Sequence, residues 1–380
     1  MRFRVPDCRP PLTKKQFFCI SVVLLFLLIV RPSSAIDTNL LRITSRELPP
    51  LPDKLGVAGA FAAVSGDALI VAGGANFPNG FPWEGGKKVW HDETYVLTKG
   101  ATNWIRVGPI PHELAYGVSL RIPSGPIWAG GSDATQHFGN VYSVLWEGSA
   151  LFLNQLEPLP MPVANACGAS SEHLSVIAGG EMSPLATTAM RNVWFRSHAL
   201  KLDMWQELPQ LPGSGRTLCS AALLENQVFV VGGVKLSAGP DGKPVRTYLR
   251  DGYALDMRKR HGGHDSHIPP LLWRRIADLP HPIAAAPSLA VPIGKWGFAI
   301  LGGDDGSKYG FQPVEQHPGF SREILVYDLG TDRWSSGGEL PRSRVTAAAV
   351  MWGDEVVIIS GEIRPGVRSP EVWAYKIEEP

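Results

Sequence analysis

Short apolar runs that end on small residues recur along the chain. They read ALIVAGG (68–74), PIWAGG (126–131), LSVIAGG (174–180), QVFVVGG (227–233), GFAILGG (297–303) and VVIISG (356–361). Apolar runs this short, closed by turn residues, predict strands buried on both faces. Each follows a stretch rich in Ala, Gly, Ser and Val (GVAGAFAAV, AYGVSLRI, VANACGASS, TLCSAALL, AAAPSLAV, VTAAAVMW). Each is followed by a further strand-like stretch (DETYVL, NVYSVL, NVWFRS, DGYALD, EILVYD, EVWAYKI). In four repeats a fourth stretch carries tryptophan into a Leu-Pro or Ile-Pro turn: NWIRVGPIP, MWQELPQLP, LWRRIADLP and RWSSGGELP. The 41 glycines, 33 prolines and 12 tryptophans of the 380 residues are in keeping with many short strands and tight turns.

Four strands per unit, a diglycine after the second and a tryptophan in the fourth make the kelch pattern, whose units form the blades of a β-propeller. The expected fold is therefore all-β, a six-bladed kelch-type propeller in a single domain over 36–380. Small residues let the first strands crowd the axis, and the outer tryptophan packs between blades. The sixth unit stops after EVWAYKIEEP without a fourth strand, whereas NLLRITSRELPPLP (39–52) has the Leu-Pro turn that elsewhere follows one. The N-terminal strand is thus expected to complete the last blade and close the ring, leaving no unpaired edge there.

The first 35 residues read differently. Arg2, Arg4, Arg9, Lys14 and Lys15 precede the apolar run Phe17 to Val30, and Ser33 and Ala35 are small residues suited to cleavage. This predicts a signal peptide over 1–35 and an exported chain that starts near Ile36, with an uncleaved anchor as the alternative. A formal net charge of +1 gives no hint of nucleic acid. Cys167 and Cys219 fall at similar points of consecutive repeats and are expected as neighbours, as two buried thiols or as a bridge.

Propeller sites sit on loops at a channel mouth, so the residues after each glycine pair are candidates: Ala75-Asn76, Ser132-Asp133, Glu181-Met182, Val234-Lys235, Asp304-Asp305 and Glu362-Ile363. Most such positions are polar loop residues without chemistry. In GEIRPGVRS, however, Pro365 and Gly366 make a turn that folds the loop back, bringing Glu362 and Arg368 to one side. They would share a ligand there, or Glu362 would form a surface ion pair with Arg364 or Arg368. His261, His264 and His267 (RKRHGGHDSH) read as a solvated insertion, with a metal site as the weaker alternative.

The segments SGEIRPGVRSPEV, GVAGAFAAVSGDALIVAGGANF, KKVWHDETYVL and AYGVSLRIP resemble the bacterial N-acetylneuraminate mutarotase (epimerase) family. The likeness is specific in the last and first blades and generic elsewhere. It implies an exported six-bladed propeller that interconverts the α and β anomers of free sialic acid, with no metal or organic cofactor. The segment order is rotated relative to that family, as a circular permutation of a closed ring would produce. The family's G-E-x-x-P-G-x-R loop carries onto Glu362 as general base and acid and Arg368 as the two-pronged holder of the substrate carboxylate. Weaker substrate-binding candidates are Arg216 and Arg344, which sit just before first strands where kelch units often carry an arginine for structure, and Asn76, Lys88, Tyr116 and Glu181 at the channel mouth. Leu114 is a departure, standing where the family has a polar or basic residue. The expected partner is a small sugar acid, with no nucleic acid, no membrane once the signal is removed, and no protein partner specified. Copper chemistry on a kelch fold would need a Cys beside an aromatic ligand, and Cys167 and Cys219 sit in structural strands. The alternative is a non-catalytic kelch propeller binding protein or glycan at its mouth, for which the aromatic loop FPNGFPWEGGKKVW (77–90) is the candidate surface; that loop reads equally as a lid or as packed.

Overall fold

The computed structural model describes residues 41–198, 204–257 and 270–379. The N-terminal segment and His261, His264 and His267 lie outside them.

Six four-stranded antiparallel sheets follow one another. From innermost to outer strand, blade one is Phe61–Ser65, Ala68–Ala72, Thr94–Thr98 and Ile105–Val107. Blade two is Val118–Ile122, Gly125–Ala129, Val141–Trp146 and Leu151–Leu156; blade three is Cys167–Ser170, Leu174–Ala178, Val193–Ser197 and Gln206–Glu207. Blade four is Ser220–Leu224, Gln227–Val231, Gly252–Asp256 and Trp273–Ile276; blade five is Val291–Ile293, Gly297–Gly303, Ser321–Asp328 and Arg333–Glu339. Blade six takes Ala348–Trp352, Glu355–Ile359 and Val372–Glu378 from the end of the chain and its outer strand, Arg42–Leu48, from the start, paired from Arg42↔Glu378 to Leu48↔Val372. The ring closes as expected.

The period of two explains why the second strands are continuously apolar. Successive side chains point to opposite faces, and both faces of a blade meet a neighbour. In blade one Leu69 and Val71 pack with Val357 and Ile359 of blade six, while Ile70 and Ala72 pack with Trp128 and Val144 of blade two. Each interface between neighbouring blades has such a cluster. Trp104, Trp273 and Trp334, at the outer strands, donate their indole N–H to the carbonyls of Pro49, Pro209 and Ala277 in the preceding blade (2.7, 2.7 and 2.9 Å). Blade two has no such tryptophan, and Leu151 and Leu153 pack with Trp146 against the blade-one cluster instead.

Just before the innermost strands, one backbone amide per blade bonds to the neighbouring blade. Tyr116 donates to Gly59, Asn165 to Tyr116, Leu218 to Asn165, Ala285 to Leu218, Thr346 to Ala285, and Gly59 to Thr346, all at 2.7–2.8 Å. These six N–H···O=C bonds form a closed circle. Every member has positive φ, from 48° at Thr346 to 67° at Gly59, a conformation that non-glycine residues rarely adopt.

In the sixth repeat a serine stands where the others have their first glycine. Ser360 has φ 55° and is fully buried. Its hydroxyl accepts from the Val57 N–H (2.8 Å) and lies within donating distance of the carbonyls of Ser369 (2.7 Å) and Val57 (2.9 Å). Those bonds hold a strained position and join blade six to blade one. Ser360→Ala is expected to cost about 1–3 kcal/mol, from buried backbone groups left unpartnered, read as a lower midpoint in urea at unchanged slope.

Candidate functional site

The residue after each glycine pair bridges back to the residue that leads into its innermost strand: Ala58↔Ala75, Ala115↔Ser132, Ala164↔Glu181, Thr217↔Val234, Ala284↔Asp304 and Val345↔Glu362. This repeated bridge presents one residue per blade to one mouth of the ring. A cavity of about 640 Å³ opens there, lined among others by Ser132, Glu181, Asp304 and Glu362, with Tyr116, Asn165, Leu218, Ala285 and Thr346 of the hydrogen-bonded circle. Its size suits a small molecule.

Glu362–Arg364 and Val367–Arg368 form a hairpin in which Glu362 pairs directly with Arg368. The Pro365-Gly366 turn therefore brings the two together. Arg368 Nη2 lies 3.0 Å from Glu362 Oε2, and the Gly366 N–H donates to Glu362 Oε1 at 3.2 Å. Arg364 turns away and donates to the Glu315 carbonyl. Gly361 starts the hairpin at φ 93°, where a Cβ would stand 2.6 Å from that of Ala347.

The pair is largely buried, with side-chain exposures of 18% for Glu362 and 4% for Arg368. Burial pushes the Glu362 carboxyl above its usual range, against the pull of the Arg368 guanidinium, the Gly366 N–H and the charges of Lys88 and Arg246. Arg368 lies over the Phe77 ring (4.6 Å to the centroid), and its Nε and Nη1 have no hydrogen-bond partner. A buried guanidinium with unused donors is built to take an oxyanion.

The other sequence candidates divide. Lys88, Tyr116 and Glu181 line the cavity, Lys88 lying over the rings of Tyr116 (5.0 Å) and Trp90 (5.4 Å). Asn76 is buried in the frame, donating to Asp53 and Gly56 and bonded to His91. Arg216 is fully buried and bonds to the Gly232 and Asp251 carbonyls and the Asp251 carboxylate, while Arg344 bonds to Ser343, Ser369 and Glu371. Asn76, Arg216 and Arg344 are thus absent from the cavity wall, and both arginines bind the blades instead of a substrate. Leu114, at the position of Arg216 in its own blade, is buried in the cluster with Ile110 and Trp128. Cys167 and Cys219 are neighbours, their Sγ atoms 2.7 Å apart and unbridged.

The sequence reading missed His137, Asn165, Arg246 and Tyr248, which also line the cavity. Arg246 and Tyr248 come from an added hairpin, Val234–Ala238 with Pro244–Tyr248, and Tyr248 donates to Asp304 at 2.5 Å. The turn dipeptide Asp241-Gly242 marks this hairpin. Most of the aromatic loop 77–90 is exposed, with Pro82 and Trp83 lying against Gly366 of the Glu362 hairpin. Among the described residues no group of His, Cys, Asp and Glu is arranged to hold a metal ion.

The family model for N-acetylneuraminate epimerase matches residues 43–153. Among curated relatives, the N-acetylneuraminate epimerase of Yersinia pestis (strain Pestoides F) is 30% identical over 241 residues, 58% of this chain and 57% of that protein. That of Brucella suis is 36% identical over 118 residues, 28% of this chain and 30% of that protein. N-acetylneuraminate epimerase 1 of Escherichia coli O6:H1 is 41% identical over 99 residues, 24% of this chain and 26% of that protein. The chain thus matches from about a quarter to just over half of these relatives' length. The solved structure of YjhT superposes with a TM-score of 0.60 at 15% identity, covering 87% of this chain and 99% of that one, a likeness of fold. The chain's resemblance to the N-acetylneuraminate epimerase family is therefore shown over blade one and most of blade two; Glu362 and Arg368 lie beyond the stretch the family model matches.

Proposed function

We propose that the chain is a mutarotase for N-acetylneuraminate or a closely related keto-sugar acid. The observation that carries this is a buried carboxylate and guanidinium 3.0 Å apart on one cavity wall, the guanidinium keeping two unused donors. Arg368 holds the substrate carboxylate and so fixes C2 beside Glu362. Glu362 takes the proton of the anomeric hydroxyl. The C2–O bond of the ring breaks, its electron pair goes to the ring oxygen, and that oxygen is protonated by Glu362 now acting as acid. Closure on the other face of the ketone reverses these transfers and yields the other anomer. Lys88 and Arg246, whose charges act on Glu362, favour an anionic substrate. The similarity to named epimerases supports the substrate class. The basic lead and apolar run before Ile36 support export of the chain.

Crystalline N-acetylneuraminate, a single anomer, is dissolved with and without the protein and the anomers are followed by NMR. The protein should speed equilibration well beyond buffer, and an unchanged rate would end the mutarotase reading.

A pH profile adds a second check. The base must be ionised, and burial raises the Glu362 pKa. The acid limb of kcat/KM should therefore lie above the ordinary glutamate range. Arg368→Met removes a charge that lowers this pKa, so the limb should move further up.

A further inference from the structure

Opposite Glu362 stands a second glutamate that is largely, though not fully, buried. Blades three and six face each other across a six-bladed ring, and Glu181 holds the position in blade three that Glu362 holds in blade six. Both line the cavity, yet their partners differ. Glu181 Oε1 accepts from Asn165 Nδ2 at 2.7 Å and lies 3.9 Å from His137 Nε2. His137 is delivered by the loop after the second strand of blade two, where Asp133 accepts from the N–H groups of Thr135 and Gln136. Its side chain is 3% exposed, and neither ring nitrogen makes a hydrogen bond of ordinary geometry. Burial disfavours the imidazolium, with the Gln136 backbone and Asp133 only partly offsetting it.

A neutral imidazole offers one donor and one acceptor. Leaving either unused in a buried site is costly, so the pair calls for a ligand atom. One oxygen can lie about 2.8 Å from both His137 Nε2 and Glu181 Oε1. To accept from the imidazole and donate to the carboxylate, that oxygen must carry a hydrogen of its own, as a ligand hydroxyl does, or a water that the hydroxyl displaces. A carboxylate cannot donate, and an amide divides the two roles between two atoms.

We propose that His137, Asn165 and Glu181 form a subsite for a hydroxyl on the arm of the substrate farthest from its carboxylate. The subsite rests on the mutarotase reading and narrows it to sugar acids with an exocyclic hydroxylated chain.

The test compares N-acetylneuraminate with its seven-carbon analogue, made by periodate cleavage and borohydride reduction of the chain while C2 is held as its methyl glycoside, which is then hydrolysed. The wild type should prefer the full-length sugar by about tenfold in kcat/KM, one hydrogen bond's worth. His137→Leu should remove that preference by slowing the full-length sugar alone, and Glu181→Gln should act in the same direction. The wild-type His137 ring ¹⁵N signals should move with the full-length sugar and stay with the short one. If His137→Leu fails to fold, Glu181→Gln and these shifts carry the same decision. Equal losses for both sugars, or ring signals indifferent to chain length, overturn the subsite and leave the mutarotase reading standing. If the wild type accelerates neither sugar, both fall.

Discussion

Glu362→Gln is expected to slow the proposed anomer exchange by about 10²–10⁴-fold, the usual span for loss of a positioned acid–base group. The amide still fills the space and its oxygen can still accept from Arg368 Nη2, which stands 3.0 Å from the carboxylate. What it cannot do is take the anomeric proton. Arg368 then loses its counter-ion while buried, so some stability is lost as well. Kinetics must therefore be read on protein shown to be folded by its near-ultraviolet circular dichroism. Arg368→Lys separates the partners' roles. It keeps a positive charge and loses the planar fork, so KM for the sugar acid should rise more than kcat falls. Equal kcat losses in both variants with KM unchanged would remove Arg368 as holder of the carboxylate.

The second large effect is on stability. Arg216→Met should lower it by about 3–5 kcal/mol, the range for breaking a buried ion pair from one side. For a propeller of this size that is a fall of roughly 4–7 °C in Tm. Arg216 is fully buried and ties the Gly232 carbonyl, the Asp251 carbonyl and the Asp251 carboxylate of blade four, into which it leads, 3.0–3.1 Å away, with Tyr253 beside it. Methionine fills the volume and satisfies none of these acceptors. Arg216 is not on the cavity wall, so kcat/KM per folded molecule should hold. A loss of kcat/KM with unchanged Tm would instead put Arg216 among the substrate contacts, as its place before an innermost strand had suggested.

The two arginines show what a sequence conceals. Six blades were legible because small-residue strands, apolar runs and glycines recur in register, and because the Leu-Pro turn at 48–49 had no outer strand of its own repeat to follow. The Glu362–Arg368 contact was legible too, because a Pro-Gly turn is a local signal with a local result. Asn76 and Arg216 read as polar residues near a mouth, and their burial depends on Asp53, His91 and Asp251, which the turn chemistry around them does not specify. His137 was invisible for the converse reason. It resembles any loop histidine until the neighbouring blade sets Glu181 beside it, 44 positions further along the chain. Ser360 reads as one more small residue at the end of its run, and only the Val57 and Ser369 groups around it explain why a hydroxyl is held there.

The circle of six amides also decides what the cavity can offer a ligand. Five of its members, Tyr116, Asn165, Leu218, Ala285 and Thr346, line the 640 Å³ cavity. A few residues further along the same innermost strands, Ala62, Ser119, Gly168, Leu223, Leu289 and Val350 line a separate, mostly apolar pocket. In the circle itself the backbone donors and acceptors are already mutually engaged, with little to offer a polar solute. A small molecule in the larger cavity thus meets backbone groups that are already engaged with one another, and the side chains of the wall are left to hold it.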